Sequence, residues 1–315
     1  MAKRTYLVTG GAGFIGSHIA ERLVRDGHRV RVLDDFSSGN AANLESFRDG
    51  VEIIQGDIRS AELVNEAVKG VDIVFHEAAL GSVPRSVADP LSTHEVNITG
   101  TLNVLLSGRE AGVKRVVYAS SSSVYGETPI LPKDEEMTPQ PLSPYALSKL
   151  VGEQYAKIFK QVYGFEVVSL RYFNIFGPRQ DLESQYAAVI PRFITSLLTS
   201  KSPVVYGDGH QSRDFTYVDN VVNANLLASE ADGAAGQAFN VACGGRYTLL
   251  ELLAELRKMI GSKIEATHEP TRAGDVRDSQ ASIETAEQVL GYRVSVDFEE
   301  GLRKTVEWYR KQLGE

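Results

Sequence analysis

The sequence predicts an α/β protein, in which a doubly wound parallel sheet is joined to a smaller α/β domain. Three observations support this prediction: short β-branched runs alternate with helical patterns through the first half, a glycine-rich turn follows the first run, and the alternation gives way to longer loops after about residue 177. Repeated strand–helix–strand units form parallel sheets with right-handed crossovers and helices on both faces. A chain of 315 residues suffices for one large α/β unit or two modest domains.

The first half contains six predicted strands, at residues 5–9, 29–34, 51–55, 71–76, 113–120 and 166–172. Between the first two, Ile19, Leu23 and Val24 repeat at helical spacing, and the pattern ends at Gly27. The stretches SAELVNEAVKG and THEVNITGTLNVLLSGREAG predict further helices in the same way. In the second half, helices are predicted near residues 186–200, 248–260, 282–290 and 298–313.

Composition excludes several classes of protein. The net charge of −8 and the pI near 5.4 argue against nucleic-acid and anionic-membrane partners, since an acidic surface repels both. Cys243 is the only cysteine, so an internal disulfide is impossible, and we interpret it as a small buried apolar residue of a protein in a reducing compartment. The N-terminal apolar run is short and broken by glycines, unlike a signal peptide, so we expect a cytoplasmic protein without a membrane span.

The turn GGAGFIG, residues 10–16, directly follows the first predicted strand and opens the first predicted helix. Glycines at 10, 13 and 16 allow a tight turn, a close approach of the backbone to a pyrophosphate and close packing of the helix on the sheet. The phosphates then lie against the free N–H groups at the positive end of the helix. This context predicts a Rossmann-type dinucleotide site with contacts from Gly10, Gly13, Phe14, Ile15 and Gly16.

Asp34 ends the second predicted strand, 18 residues after Gly16. A carboxylate at this place accepts hydrogen bonds from both hydroxyls of the adenosine ribose and repels a 2′-phosphate. The cofactor predicted here is therefore NAD rather than NADP.

These features predict a division of the chain. Residues 1–176 form the expected NAD-binding Rossmann domain, and residues 177–215 and 243–315 form the expected substrate-binding domain. The stretch FTYVDNVVNANLLASEA followed by QAFNVAC has the pattern of a helix and then a strand. We therefore expect residues 216–242 to fold back onto the first domain.

Tyr145 is the only one of the 13 tyrosines with a lysine four residues later, Lys149. The stretch SPYALSKLVGEQYAKIF begins after Pro144 and predicts a helix, so the two side chains share one helix face. An ammonium group beside a phenol lowers the pKa of that phenol. Combined with a nicotinamide site, this makes Tyr145 the candidate general base for removal of a hydroxyl proton.

Together these residues resemble the extended short-chain dehydrogenase/reductases that act on nucleotide sugars, and the resemblance runs from TGGAGFIG to the last helices. It implies that Tyr145 and Lys149 are catalytic, with Lys149 also holding the nicotinamide ribose. In that family a Ser or Thr three residues before the Val of VYG binds the reacting hydroxyl, and this position is Ser121. The resemblance thus implies an enzyme with a Ser–Tyr–Lys centre.

The resemblance also indicates the type of reaction. Family members that are 4,6-dehydratases carry Asp and Glu directly after the Ser or Thr, and UDP-glucuronate decarboxylases carry a Glu at the second position. This chain has Ser122 and Ser123, which cannot do that proton work at neutral pH. Reversible oxidation at C4 without elimination remains, which implies a 4-epimerase that retains its NAD.

Further contacts are expected from the resemblance at two groups of positions. The cofactor group adds Asp57, Ile58, Ala78 and Tyr172 to the residues above. The substrate group contains Gly81, Ser82, Ser122, Asn174, Val189, Tyr206, Arg213, Arg272, Asp275 and Ser279. Within it, Arg213 and Arg272 match the arginines that clamp a diphosphate with directed hydrogen bonds, and Val189 and Tyr206 match positions that line the uracil.

Three features address the sugar. HEAALGSVPRS and QYAAVIPRF resemble bacterial epimerases of UDP-N-acetylhexosamines, and the seventh residue after Arg272, where a family tyrosine would exclude an N-acetyl group, is Ser279. Asn174 stands where UDP-glucuronate 4-epimerases more often have Thr. We therefore expect interconversion of UDP-GlcNAc and UDP-GalNAc, with UDP-glucose and UDP-galactose also accepted.

Other interpretations stay open at this point. They are, in order, a UDP-glucose 4-epimerase with little N-acetyl activity, a UDP-glucuronate 4-epimerase and a non-enzymatic NAD-sensing regulator. The six histidines show no ligand spacing, so no metal site is predicted. Helices 92–111 and 145–163 predict a homodimer through a four-helix bundle, as in the family.

Overall fold

A seven-stranded parallel sheet forms the centre of the fold. The computed structural model describes residues 3–180, 188–271 and 277–314. The strands of the main sheet are β1 Thr5–Thr9, β2 Arg29–Asp34, β3 Val51–Gln55, β4 Ile73–His76, β5 Arg115–Ser121, β6 Glu166–Tyr172 and β11 Ala238–Val241. Their order is β3-β2-β1-β4-β5-β6-β11, all parallel, which is the doubly wound arrangement that the sequence predicts.

Four predicted strands have the predicted bounds, and two begin later than expected. The strand predicted at 71–76 begins at Ile73, and the strand predicted at 113–120 runs from Arg115 to Ser121. In both cases the first valine still belongs to the preceding helix end: the amide of Val71 donates to the carbonyl oxygen of Val68, and that of Val113 donates to Gly108. These turn hydrogen bonds use the backbone amides of the two valines, so each strand begins two residues later than predicted.

Ten α-helices cover the sheet and fill the second half of the described chain. They are α1 Phe14–Arg25, α2 Ala61–Ala67, α3 Val83–Ala88, α4 Pro90–His94, α5 Thr101–Glu110, α6 Pro144–Tyr163, α7 Val189–Leu198, α8 Val218–Glu230, α9 Leu249–Ile260 and α10 Phe298–Leu313. A π-helical segment, Glu95–Gly100, makes α4 and α5 one continuous run. The helix predicted near 282–290 is a second π-helical segment, Ala286–Leu290.

The core is divided among separate clusters of apolar side chains. One cluster packs on the face of the main sheet that α1 and α8 cover, and a second packs on the opposite face, under α2, α5 and α6. A third is built from α7, α9 and α10 together with Phe176 and Phe215. The two sheet clusters hold the strand ends in fixed positions, and the third supports the loops of the second half.

Residues 216–242 lie against the first half of the chain. Strand β11 pairs with β6 in the main sheet, and α8 packs against α1. The remaining strands form three short pairs: β7 Ile175–Phe176 with β10 Thr216–Tyr217, β8 Val204–Tyr206 with β13 Thr267–Glu269, and β9 Ser212–Arg213 with β12 Tyr247–Thr248. The assignment of separate cofactor and sugar domains stays a prediction.

Two further sequence expectations concern single features. In the described ranges, no helix is both long and apolar enough to cross a membrane. Cys243 is half-buried, and burial raises the pKa of its thiol to about 12, so the thiol is protonated at neutral pH.

Candidate active site

The carboxyl ends of β1, β2 and β4 meet at one edge of the main sheet and surround a cavity. The predicted cofactor residues Gly10, Gly13, Phe14, Ile15, Gly16, Asp34, Asp57, Ile58 and Ala78 all line it. Gly81, predicted for the substrate, lines it as well. Parallel strands place their carboxyl ends together, so residues far apart in sequence meet here.

Close backbone packing explains the glycines of the turn. Gly10 has a φ of 68°, and a Cβ atom there would lie 2.7 Å from the amide nitrogen of Ala78. A Cβ on Gly16 would overlap the carbonyl oxygen of Gly10. Helix α1 begins at Phe14 behind Gly13, which provides no side-chain cap. The first amides of α1 are therefore available to an anion.

Asp34 is buried at the end of β2, where two backbone amides hold it. The amide of Ala12 donates to Oδ2 and the amide of Phe36 donates to Oδ1, each at 2.8 Å. Burial raises the pKa of the carboxyl group, and the two amide bonds oppose this change. Each oxygen keeps a lone pair that can accept a further hydrogen bond from a diol.

Ser121, Tyr145 and Lys149 come together where β5 ends and α6 begins. Ser121 caps a short 3₁₀ helix, Ser122–Tyr125, and its Oγ accepts from the amide of Ser123 at 3.2 Å. The Ser121 hydroxyl lies close to the Tyr145 hydroxyl and favours the ionised form of Tyr145. The ammonium group of Lys149 lies 5.9 Å from the centre of the Tyr145 ring. The three residues thus form one connected group.

The electrostatics of this group differ from the sequence expectation. Burial raises the pKa of Tyr145, the nearby charge of Glu77 raises it further, and the Ser121 hydroxyl opposes both. The expected net lowering of the Tyr145 pKa is wrong, because burial is the dominant cause and raises it; the Lys149 ammonium donates at 2.8 Å to the carbonyl oxygen of Ala119. Burial lowers the pKa of Lys149 itself to about 8.

The two residues after Ser121 are Ser122 and Ser123, which open the 3₁₀ helix. Ser123 Oγ donates to Ser121 Oγ at 2.9 Å, and Ser122 is half-buried at the start of the 3₁₀ helix. Neither side chain has a carboxyl group to offer. The site can therefore support proton transfer at one carbon through Tyr145 without a second acid–base pair on this segment.

Three predicted substrate residues gather around residues 212–216. Arg213 lies on β9, and the amide of Ser279 donates to the carbonyl oxygen of Ser212 at 3.1 Å. The Asn174 side chain donates to the carbonyl oxygen of Asp214 at 3.1 Å. The Ser279 side chain is buried.

The other predicted substrate residues fall into separate places. Val189 opens α7, and one turn later Arg192 stacks its guanidinium 5.2 Å from the Tyr206 ring, so Val189 and Tyr206 lie near each other. Ser82 caps α3 by accepting from the amide of Arg85. The predictions for Arg272 and Asp275 lie outside the described residues. Tyr172, predicted for the cofactor, ends β6 beside β5.

Sequence reasoning missed two ionisable residues at this edge. Glu77 lines the cavity and accepts from the Tyr172 hydroxyl at 2.9 Å. His76 is buried between Thr9 and Thr101, at 2.7 and 2.9 Å, and burial lowers its pKa to about 3, so it stays neutral. A signal was available for Glu77: a carboxylate directly after an apolar strand at the binding edge.

Known proteins match this chain over nearly its whole length. A family profile described as "NAD dependent epimerase/dehydratase family" matches residues 6–242. The UDP-glucose 4-epimerase of Mycolicibacterium smegmatis is 40% identical over 310 residues, covering 97% of this chain and 98% of the relative.

Two solved structures are similar at the same level. A UDP-N-acetylglucosamine 4-epimerase from Methanobrevibacter ruminantium, in complex with UDP-N-acetylmuramic acid, has 42% identity and a TM-score of 0.95, covering 99% of this chain and 100% of that chain. A UDP-glucose 4-epimerase from Thermus thermophilus, in complex with NAD, has 38% identity and a TM-score of 0.88, covering 97% and 99%. The similarity therefore includes the second half as well as the glycine turn.

Proposed function

The chain belongs to the NAD-dependent epimerase/dehydratase family, and from this premise we propose that it interconverts UDP-GlcNAc and UDP-GalNAc, and also UDP-glucose and UDP-galactose, by inversion at C4. At the coarser level it is a UDP-sugar 4-epimerase that uses NAD. One observation supports this activity above the others: Ser121, Tyr145 and Lys149 form one group beside the cavity of the glycine turn, followed by serines rather than acids.

The lining of the cavity fits NAD. The uncapped N-terminus of α1 suits a pyrophosphate, and Asp34 keeps lone pairs for the ribose hydroxyls while its charge disfavours a 2′-phosphate. When bound, NAD supplies the acceptor and donor of the C4 hydride. The assignment of Asp57, Ile58, Ala78 and Tyr172 to the cofactor belongs to the same proposal.

In this proposal the protein moves one proton. Tyr145 removes the proton of the C4 hydroxyl, and Ser121, which lies beside Tyr145, orients that hydroxyl by a hydrogen bond of its own. Lys149 stabilises the phenolate by its charge. Tyr145 returns the proton to the 4-keto sugar after the sugar has turned to present its other face.

The assignment of the sugar rests on Ser279. It lies next to the strand of Arg213, which we assign to the diphosphate, so a side chain at 279 is close to the bound sugar. Serine leaves space for a 2-acetamido group, whereas tyrosine would fill it. The UDP-glucose pair alone is the second candidate, because the 40% identical relative is a UDP-glucose 4-epimerase.

The test is to incubate the purified protein separately with UDP-GlcNAc, UDP-glucose and UDP-glucuronate and to resolve the products by NMR. We expect UDP-GalNAc and UDP-galactose from the first two and no product from the third. No product from UDP-GlcNAc, with turnover of UDP-glucose, would transfer the assignment to the second candidate. No product from any sugar would favour a regulator that only binds NAD.

A matched pair of variants tests the role of Ser279. Ser279→Tyr should reduce kcat/KM for UDP-GlcNAc at least about tenfold more than for UDP-glucose, because the ring occupies the acetamido space. Ser279→Ala keeps that space and should retain both activities. Equal losses for both sugars in Ser279→Tyr would contradict the role of this residue.

We also propose a homodimer through the outer face of α3, α4 and α6. This face carries the exposed apolar side chains Val87, Leu91, Leu147, Ile158 and Val162. Exposed apolar groups on neighbouring helices favour association through helix–helix packing. Light scattering should give a dimer for the native chain, and Val162→Asp should shift it towards monomer; a monomeric native chain would refute the proposal.

A further inference from the structure

Glu77 is a carboxylate at the catalytic edge that the mechanism above does not use. It directly follows β4, and its amide donates to the carbonyl oxygen of Thr9 on β1 at 3.1 Å, which fixes its backbone. Its side chain lines the cavity that we assign to NAD. A carboxylate placed at a binding edge by two strands is fixed in position before any ligand binds.

A chain of hydrogen bonds holds the Glu77 side chain. Tyr172, at the end of β6, donates its hydroxyl to Glu77 Oε1 at 2.9 Å. Asn225 on α8 donates to the same tyrosine oxygen at 2.8 Å and also contacts the carbonyl oxygen of Val221 at 2.9 Å. The chain therefore spans β4, β6 and α8, and it crosses the end of β5, where Lys149 is anchored to Ala119.

The ionisable groups that face Glu77 come from two elements. Tyr172 contributes from β6, and Lys149 and Tyr145 contribute from α6. The neighbouring His76 is buried and neutral. Burial raises the pKa of Glu77 to about 7, while the Tyr172 bond and the charge of Lys149 favour its ionised form. Its charge in turn opposes deprotonation of both Lys149 and Tyr145.

We propose that Glu77 is an electrostatic positioning residue, whose carboxylate sets the ionisation of Tyr145 and Lys149 and makes the cavity prefer the oxidised, positively charged cofactor. The inference rests on the proposed epimerase function for its kinetic part and on NAD binding alone for its second part. It requires only that Glu77 carries its charge at the cavity wall.

The first test is the pH profile of kcat/KM for epimerisation in Glu77→Gln, which keeps the acceptor for Tyr172 and removes the charge. In this mechanism the two limbs of the profile report the ionisations of Tyr145 and Lys149. Because the carboxylate raises both pKa values, both limbs should move to lower pH, by about one unit. A merely structural residue would scale the profile without moving its limbs.

The second test is the ratio of the dissociation constants for NAD⁺ and NADH, measured by fluorescence titration. Loss of the carboxylate should weaken NAD⁺ relative to NADH by about tenfold, since about 1.4 kcal/mol of charge stabilisation corresponds to that factor. The ratio of the two dissociation constants can be measured even if no UDP-sugar is turned over. A failure of this inference is therefore distinguishable from a failure of the proposed function.

Two further variants keep the test decisive. Glu62→Gln removes an exposed carboxylate on α2 and should leave both measurements unchanged. Tyr172→Phe removes the bond that favours ionised Glu77, so it should move the limbs in the same direction by a smaller amount, and it replaces Glu77→Gln if that variant does not fold. Unmoved limbs together with an unchanged cofactor ratio would overturn the proposal.

Discussion

Helix α6 carries two buried charges one turn apart, and they have different surroundings. Glu153 is enclosed by donors: Arg171 donates from Nε at 3.0 Å and from Nη2 at 2.8 Å, and Ser120 donates to the same carboxylate. Arg171 in turn donates to the Tyr125 hydroxyl at 2.8 Å. Within the described part of the chain, the hydrogen bond found for the Lys149 ammonium is the one to Ala119.

The difference separates two regions of the fold. We call the Glu153–Arg171 pair the structural region, and Tyr145, Lys149 and Glu77 the chemical region. The Glu153–Arg171 pair has its hydrogen-bonding groups satisfied, which offsets the cost of removing both charges from water. Among the residues that the structure describes, Lys149 and Glu77 have fewer partners than this pair, and burial shifts their pKa values to about 8 and about 7. Groups that ionise near neutral pH can change charge during a reaction, and groups in a satisfied pair cannot.

The largest expected effect belongs to the chemical region. Tyr145→Phe removes the proposed base, and turnover of UDP-sugars should fall by about 10³-fold, within the range for loss of a general acid–base group. The thermal unfolding midpoint should change little, because only the hydroxyl group is removed and the ring is kept. Product formation followed by NMR, with circular dichroism for unfolding, measures both quantities.

Tyr155→Phe on the same helix is the matched control for this loss. Tyr155 packs edge-to-face on Phe159, away from Ser121. Its variant should keep near-native turnover. Full turnover in Tyr145→Phe would remove the basis for regarding this end of α6 as the chemical region.

The second effect belongs to the structural region and acts on stability. Glu153→Gln leaves the buried Arg171 without its counter-charge, and the free energy of unfolding should fall by about 3–5 kcal/mol. Turnover per folded molecule should remain close to the native value. Denaturant unfolding followed by circular dichroism gives the first quantity, and kcat at a temperature well below the transition gives the second.

Two control variants test whether the loss of stability in Glu153→Gln arises from the burial of an unpaired charge. Glu66→Gln breaks an exposed pair with Lys69 and should change the free energy of unfolding very little. The double variant Glu153→Leu with Arg171→Met removes both charges, and it should recover much of the loss. A single variant as stable as the native chain would mean that the pair contributes nothing beyond its packing.

The features that can be predicted from the sequence are those that depend on neighbouring residues in the chain. The turn around Gly10 and Gly16 and the strand bounds depend on short-range requirements, such as the close approach of Gly10 to Ala78, and residue type records these directly. The pairing of Tyr145 with Lys149 follows from helical spacing. Residue type and spacing therefore suffice to predict these features.

Effects that depend on distant residues cannot be predicted in this way. The pKa of Tyr145 rises where spacing alone predicts a fall, because burial is the dominant cause and comes from the whole fold. Glu77 meets Tyr172 only because β4 and β6 flank β5. The strands that begin at Ile73 and Arg115 start later than predicted because the preceding helix ends hold Val71 and Val113.

The smallest expected effect concerns the pH dependence of the free energy of unfolding. It is found by comparing Glu77→Gln in the chemical region with Glu153→Gln in the structural region. Burial raises the pKa of Glu77 from 4.5 to about 7, so between these values the unfolded chain loses a proton that the folded chain keeps. The free energy of unfolding therefore falls as pH rises through this window, and Glu77→Gln escapes that loss. Relative to the native chain, the variant should gain about 1–2 kcal/mol between pH 4.5 and pH 8, less than the full shift because the Glu77 side chain is only half-buried. Denaturant unfolding at both pH values measures the free energy of unfolding of each variant relative to the native chain. We expect this gain for Glu77→Gln and a loss for Glu153→Gln. A loss in both variants would contradict the separation of the two regions.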